Sequence, residues 1–158
     1  MPMAELLMDP VLPGVRLESA PRAVLAADRP ERVLVVEDDD EMRSLIEETL
    51  LEEGYQTAGA ADTFAALIEL LGEGADVVVT DWKMPVMDGL DLLASVRRSA
   101  PGLPVIFITA HADDRLHDLA LARGAASFLA KPFRREELLD HVRVALAGAG
   151  SPGRGRPR

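Results

Sequence analysis

Cysteine is absent from all 158 residues, which excludes disulfides, thiol nucleophiles and thiolate metal sites. Aromatic residues are scarce, with one Trp, one Tyr and four Phe, so the core has to come from Val, Leu, Ile and Ala. No apolar run approaches the roughly 20 residues of a membrane span. No N-terminal stretch joins a basic start, an apolar segment and a cleavage site. These absences lead us to expect a cytoplasmic protein with no membrane partner. Lysine is nearly missing too: of seventeen basic residues only Lys83 and Lys131 are lysines. A chain that otherwise uses arginine therefore keeps a compact, mobile point charge at two places. The formal net charge of −10 argues against nucleic-acid binding by the folded part.

What is present is a chain with 48% hydrophobic residues and a mean hydropathy of +0.08, suited to one globular domain. Residues 1–30 carry Pro2, Pro10, Pro13, Pro21 and Pro30 without a sustained period and read as a flexible arm. Residues 148–158 are rich in Gly, Pro and Arg and read as a disordered basic tail. Between them, over 31–147, a strand–helix alternation repeats five times. Arg32–Glu37, Asp76–Thr80, Pro104–Thr109 and Ser127–Ala130 predict strands, with Tyr55–Ala58 a weak edge strand. Met42, Leu45, Ile46, Thr49 and Leu50 follow helical spacing up to Gly54. Phe64, Leu67, Ile68 and Leu71 mark a second helix stopped by Gly72 and Gly74. Gly89–Arg98, capped by Asp88, is a third, and Asp113–Arg123, closed by Gly124, a fourth. Leu139, Val142 and Leu146 lie on the buried stripe of a fifth. This alternation implies a parallel sheet covered by helices on right-handed crossovers.

Polar groups stand where the apolar strands stop. Val33–Val36 leads into Glu37 and Asp38, Val77–Thr80 into Asp81, Val105–Ile108 into Thr109, and Phe128–Ala130 into Lys131. Open parallel sheets bind ligands outside the carboxyl ends of their strands. Carboxylates, a hydroxyl and an ammonium at that edge suit a divalent cation plus a phosphoryl group. Taken singly each residue is ordinary. Glu37–Glu41 also reads as an acidic helix start, Asp81 as a loop acid, Thr109 as a β-branched strand residue and Lys131 as a solvated turn lysine. Phe128 alone reads as core. His111, His117 and His141 lack metal-ligand company and read as surface residues. Met42, Met84 and Met87 read as packing or loop residues, and Trp82 as little more than a fluorescent reporter beside Asp81.

The segment Asp81-Trp82-Lys83-Met84-Pro85-Val86-Met87-Asp88-Gly89 joins these parts. Asp-x-x-Met-Pro-x-Met-Asp-Gly after an apolar strand resembles the phosphoacceptor loop of the response-regulator receiver domain of two-component signalling. Val35-Val36-Glu37-Asp38 is similar to that family's acidic pair, Ile108-Thr109-Ala110 to its hydroxyl residue and small neighbour, and Phe128-Leu129-Ala130-Lys131-Pro132-Phe133 to its switch aromatic and Lys-Pro signature. The likeness extends over roughly residues 32–147. It implies a flavodoxin-like, doubly wound five-stranded parallel sheet of order 2-1-3-4-5 with five helices. It also implies that Asp81 accepts a phosphoryl group from a histidine kinase or histidine phosphotransfer protein. Mg²⁺ would then be held by Asp38, Asp81 and the backbone carbonyl of Lys83, with Glu37 acting directly or through water. Thr109 and Lys131 would meet the phosphoryl oxygens, and Thr109 and Phe128 would switch a surface made by the fourth helix, fifth strand and fifth helix. Glu37 departs from the commoner Asp by one methylene. Lys83 and His111, near the expected line of hydrolytic water, are read as modulators of dephosphorylation.

The expected function is a phosphoacceptor that switches binding of a downstream target protein, self-phosphorylating and autodephosphorylating rather than a turnover enzyme. A phosphorelay intermediate or phosphate sink is the alternative. Whether phosphorylation drives a homodimer is left open. A haloacid-dehalogenase-type phosphatase would need a second Asp two residues after the nucleophile, where Lys83 stands. Nucleotide or flavin binding would need a glycine- or hydroxyl-rich turn in place of Glu37–Glu41. A DNA-binding output domain has little room after residue 147. Arg154-Gly155-Arg156-Pro157-Arg158 resembles the core of a minor-groove AT-hook, a weak signal beside the plainer reading of a solubilising tail.

Overall fold

Side-chain alternation along the strands decides which helix lies on which face. The computed structural model describes residues 29–110 and 113–150. Its strands are β1 (Arg32–Val36), β2 (Gln56–Ala60), β3 (Val77–Asp81), β4 (Val105–Thr109) and β5 (Ser127–Ala130). Its helices are α1 (Asp40–Glu52), α2 (Thr63–Leu71), α3 (Gly89–Ser99), α4 (Asp114–Ala122) and α5 (Arg135–Gly150). All strand pairs are parallel and their order is β2-β1-β3-β4-β5. This is the doubly wound sheet expected from the alternation and the resemblance. Val33, Val35, Val77, Val79, Ile106 and Ile108 pack with Ile46 and Leu50 of α1 and Leu138, Leu139 and Val142 of α5. Leu34, Val36, Val78 and Phe107 point the other way, toward Ala66 of α2, Leu92, Leu93 and Val96 of α3 and Ala120 of α4. The period-2 geometry of a strand thus sorts two cores from continuous apolar runs. No described helix is long and apolar enough to cross a membrane.

Aspartates start four of the helices. Asp39, Asp62, Asp88 and Asp113 accept from the backbone N–H of Met42, Ala65, Asp91 and Leu116, and Asp88 completes a capping box with Asp91. The cap expected at Asp88 is therefore present. These caps fix where each loop ends and leave the strand-end residues just before them.

Four local expectations change. The edge strand lies over Gln56–Ala60 rather than 55–58: Tyr55 N–H closes α1 on the Leu50 carbonyl (3.2 Å), and pairing with Arg32–Val36 sets the register. The small Ala58-Gly59-Ala60 carries no strand signal of its own, and a Cβ at Gly59 would lie 2.4 Å from Glu47 Oε2. In α2 the residues that mark the helix are mostly outside it. Phe64, Ile68 and Leu71 are 59, 69 and 86% exposed, whereas Thr63 and Ala66 are buried. A helix apolar all round gives no period from which to choose a face, and small Ala66 is what lets its backbone approach the sheet. α5 runs on to Gly150, past the boundary expected at 147. His141 is half-buried rather than on the surface, its Nδ1 2.8 Å from Ser127 Oγ. Residues 1–28, His111 and residues 151–158, including the AT-hook-like segment, lie outside the described residues.

A cleft of ≈ 580 Å³ opens at the amino ends of β4 and β5, lined by Leu103, Ser127, His141 and Val144 among others. Its polar side chains are engaged with the protein: His141 with Ser127, Asp140 with Arg143, and Arg97 with the carbonyls of Gly124 (3.1 Å) and Leu103. Burial holds the Arg97 guanidinium below its usual pKa. Its Nε is the one buried side-chain atom without a partner among the described residues.

Gly89 is required by close approach. A Cβ there would lie 2.5 Å from the Asp81 carbonyl oxygen and 2.5 Å from Phe107 Cε1. Its N–H also donates to the Trp82 carbonyl (2.8 Å), tying α3 to the loop that leaves β3. Because one neighbour is backbone and the other a buried ring, Gly89→Ala should lower stability by about 1–3 kcal/mol. Urea denaturation of the two proteins measures this, and equal stability would show that the loop yields freely.

Candidate functional site

β1 pairs with β2 on one side and β3 on the other, so chain direction in the sheet order reverses there and a crevice opens at the strand ends. Three acids meet in it. One carboxylate oxygen from each of Glu37, Asp38 and Asp81 lies within 4.8 Å of the other two. Glu37 is 1% exposed and Asp81 9%, while Asp38 faces solvent. From the end of β5, Lys131 Nζ donates to Glu37 Oε1 (2.9 Å) and Asp81 Oδ2 (3.2 Å). Glu37 Oε2 accepts the Asp39 N–H at 3.2 Å, and Asp81 Oδ1 accepts the Trp82 N–H at 2.7 Å. The buried carboxylates are thus oriented by backbone donors and share one ammonium. Lys131 is followed by a cis peptide bond to Pro132, and its N–H donates to the Thr109 carbonyl at 2.7 Å.

Thr109 ends β4, one step beyond the Asp81–Ile108 pair in the register, and is buried at the same edge. Lys83 is exposed on the loop after β3. That loop is braced by Thr63 Oγ1, which donates to the Met87 carbonyl at 2.9 Å. Glu37, Asp38, Asp81 and Lys131, widely separated in the chain, therefore meet as expected, with Thr109 on the adjoining strand end. Hard carboxylate oxygens, one of them solvent-facing, fit a cation that keeps part of its water shell.

Burial pushes the Glu37 carboxyl above its usual pKa, and the Asp81 charge adds to this; the Lys131 ammonium and the Asp39 N–H oppose it. Burial alone would depress the Lys131 ammonium, but its hydrogen bond to Glu37 and the charges of Asp81 and Glu37 outweigh that and raise its pKa. The proton belongs on Lys131, which stays a cation between two acids.

A profile of the response regulator receiver domain matches residues 33–143. The chain belongs to the response regulator receiver domain family. This receiver domain is 42% identical over 112 residues to the response regulator protein FleR of Pseudomonas aeruginosa, covering 70% of this chain and 24% of that protein. It is 35% identical over 127 residues to the probable transcriptional regulatory protein TcrX of Mycobacterium tuberculosis, covering 79% and 53%. The aligned part spans between a quarter and about half the length of such relatives. Among solved structures, a CheY-like receiver domain protein from Methanospirillum hungatei superposes with a TM-score of 0.72 at 28% identity, over 76% of this chain and 96% of that one. The receiver domain of NtrX from Brucella abortus does so with 0.70 at 33%, over 73% and 98%.

Sequence reasoning undervalued the aromatic groups of this receiver domain. Trp82 is 5% exposed, its ring 5.1 Å from Phe107 and 6.2 Å from Phe128 by centroids. Phe128, half-buried, also meets the His117 ring edge-on at 5.4 Å. Trp82 thus connects the Asp81 carboxylate, through its own N–H, to a packed row reaching α4, rather than being a bystander. The signal in the sequence was a lone Trp next to an acid in an aromatic-poor chain. His117 remains largely exposed, but its ring has a partner that no local pattern announced.

The raised Glu37 pKa gives a signed pH dependence. A carboxyl that holds its proton more tightly folded than unfolded adds most stability below its ordinary value of 4.5, and that contribution is lost as pH rises through the raised folded value. In a chelator, unfolding free energy should therefore decline across the interval just above 4.5, and Glu37→Gln should remove that part of the decline. Urea melts over the pH series decide it; an unaltered slope in the variant would assign the effect to other groups.

Proposed function

We propose that this receiver domain accepts a phosphoryl group on Asp81 from the phosphohistidine of a histidine kinase or histidine phosphotransfer protein, and so alters the surface it offers to a downstream protein. The observation that carries the reading is the shared ammonium: Lys131 Nζ stands 3.2 Å from Asp81 Oδ2 while anchored on buried Glu37 at 2.9 Å. In the transfer, an Asp81 carboxylate oxygen forms the new O–P bond as the N–P bond breaks, and the imidazole nitrogen leaves with the electron pair. Such a reaction needs charge neutralisation and in-line positioning more than proton transfer. The Trp82 N–H holds the Asp81 carboxylate in one orientation. Lys131 provides positive charge where phosphoryl oxygens would lie. Thr109, at the neighbouring strand end, provides a hydroxyl for the same oxygens. Asp38 and Asp81, the Lys83 carbonyl and Glu37, directly or through water, would hold Mg²⁺, which when bound supplies further neutralisation of the phosphoryl charge.

The downstream half of the proposal rests on Phe128. Its ring packs against Trp82 and His117, so a change at Asp81 or Thr109 can alter packing along β5 and α4. Phe128 has no hydroxyl, and it reports through packing alone. The protein acts as a phosphoacceptor that loses the group by its own hydrolysis, not as an enzyme turning over a separate substrate.

With a small phosphodonor and Mg²⁺, the protein should take up one acid-stable, base-labile phosphoryl group, and Asp81→Asn should take up none. Intact-mass spectrometry reads both, and labelling of the variant would place the acceptor elsewhere.

Lys83 bears on lifetime. It lies two residues past the acceptor with its side chain exposed, where a long cationic chain can cover the acyl phosphate against water. After removal of the donor, Lys83→Ala and Lys83→Asn should both lose the phosphoryl group faster, up to about tenfold, equivalent to roughly 1.4 kcal/mol in the barrier. Equal or slower decay of the labelled variants would refute this shielding. Slow loss in the native protein would suit a relay intermediate.

A further inference from the structure

α2 exposes more apolar side chain than its neighbours, and the site above uses none of it. Phe64, Ile68 and Leu71, spaced i, i+4 and i+7, are 59, 69 and 86% exposed on a helix whose opposite face is packed on the sheet. Residues at this spacing form one stripe along a helix. Exposed apolar patches of a few hundred Å² on a monomer are often functional. The polar groups around the stripe carry one sign. Thr63–Leu71 contains no basic residue, Asp62 caps its start, and Glu69 and Glu73 stand at its end. Arg32, the cation beside them, is already engaged by Glu69 (2.7 Å) and Glu73 (2.9 Å). Thr63 bonds to the Met87 carbonyl, and the next residue along that loop, Val86, is 92% exposed. Val86 has a φ of 68°.

We propose that Phe64, Ile68 and Leu71 form a docking surface for an amphipathic helix of a partner protein, apolar on the face that meets the stripe and basic along its flanks. The i, i+4, i+7 anchors match the way one helix presents itself to another. Charge selects the partner. A two-fold contact with a second copy would set Asp62, Glu69 and Glu73 near their own counterparts, and like charges across an interface are costly. Size agrees, because three side chains fall well short of the roughly 800 Å² per partner of a standard stable interface. An anionic membrane surface is disfavoured by the same acidic rim and the net charge of −10.

The test uses a fluorescent peptide of about 18 residues, long enough to be helical, with leucines on one face and lysines elsewhere. Fluorescence polarisation should show it binding the native protein and binding Phe64→Gln/Ile68→Gln at least about tenfold more weakly. The double variant leaves net charge unchanged and alters only exposed residues, so an unchanged melting temperature establishes that it folds. A matched peptide with glutamate in place of lysine should bind neither protein. Equal binding of the lysine peptide to both proteins would reduce the effect to diffuse attraction and overturn the proposal. So would no binding to the native chain, or equal binding of the glutamate peptide. Sedimentation showing a native dimer that dissociates in the double variant would give the stripe to a second copy, and native-only binding to anionic vesicles would give it to a membrane; either result overturns the partner helix.

Discussion

The ammonium of Lys131 is the counter-charge on which the arrangement at the carboxyl edge of the sheet depends. Glu37 and Asp81 are both nearly removed from water and lie close enough to repel. A buried carboxylate without a partner shifts toward its neutral form, and two together do so more strongly. By reaching both acids from the end of β5, Lys131 lets the ends of β1 and β3 carry negative charge side by side. The backbone donors at Asp39 and Trp82 then fix the direction of each carboxylate. Geometry and charge are coupled here: the order β2-β1-β3-β4-β5 puts β5 two strands from β3, and a side chain as long as lysine is needed to span that separation.

The same edge is joined mechanically to one flank of the molecule. Asp81 holds the Trp82 N–H, and the Trp82 ring packs on Phe107 and toward Phe128, which meets His117 of α4. Close-packed rings have few alternative arrangements, so a displacement at one end is not easily absorbed along the row. In a chain with six Phe, Tyr and Trp residues in total, placing three of them in this row concentrates its largest rigid side chains beside the acid that the proposal phosphorylates. α2 faces away from that row, and its stripe offers a second surface with a different chemistry, apolar and acidic-rimmed.

Most strands and the site were legible because their signals are local and mutually reinforcing. Val33–Val36, Val77–Val79 and Val105–Ile108 are continuous β-type runs, and each stops at a polar residue that the parallel fold must place at one edge. Aspartate caps made the helix starts readable, as at Asp88. Where the sequence was ambiguous, two physical reasons recur. Gln56–Ala60 is a strand by pairing with β1, not by propensity, so its register was invisible locally. His141, Trp82 and Phe128 acquire partners from Ser127, Phe107 and His117, residues whose nearness exists only after the sheet has formed.

What the amino-acid sequence determined by itself is the alternation, the places where strands end and the identity of the acids, hydroxyl and lysine found there. These follow from propensity, capping and side-chain period, all of which act within a few residues. Tertiary structure alone decided which face of α2 is buried, since a helix that is apolar all round can pack any face and small Ala66 wins by allowing the closest approach. It also decided how protons are shared among Glu37, Asp81 and Lys131, because desolvation and charge pairing depend on distances between residues far apart in the chain.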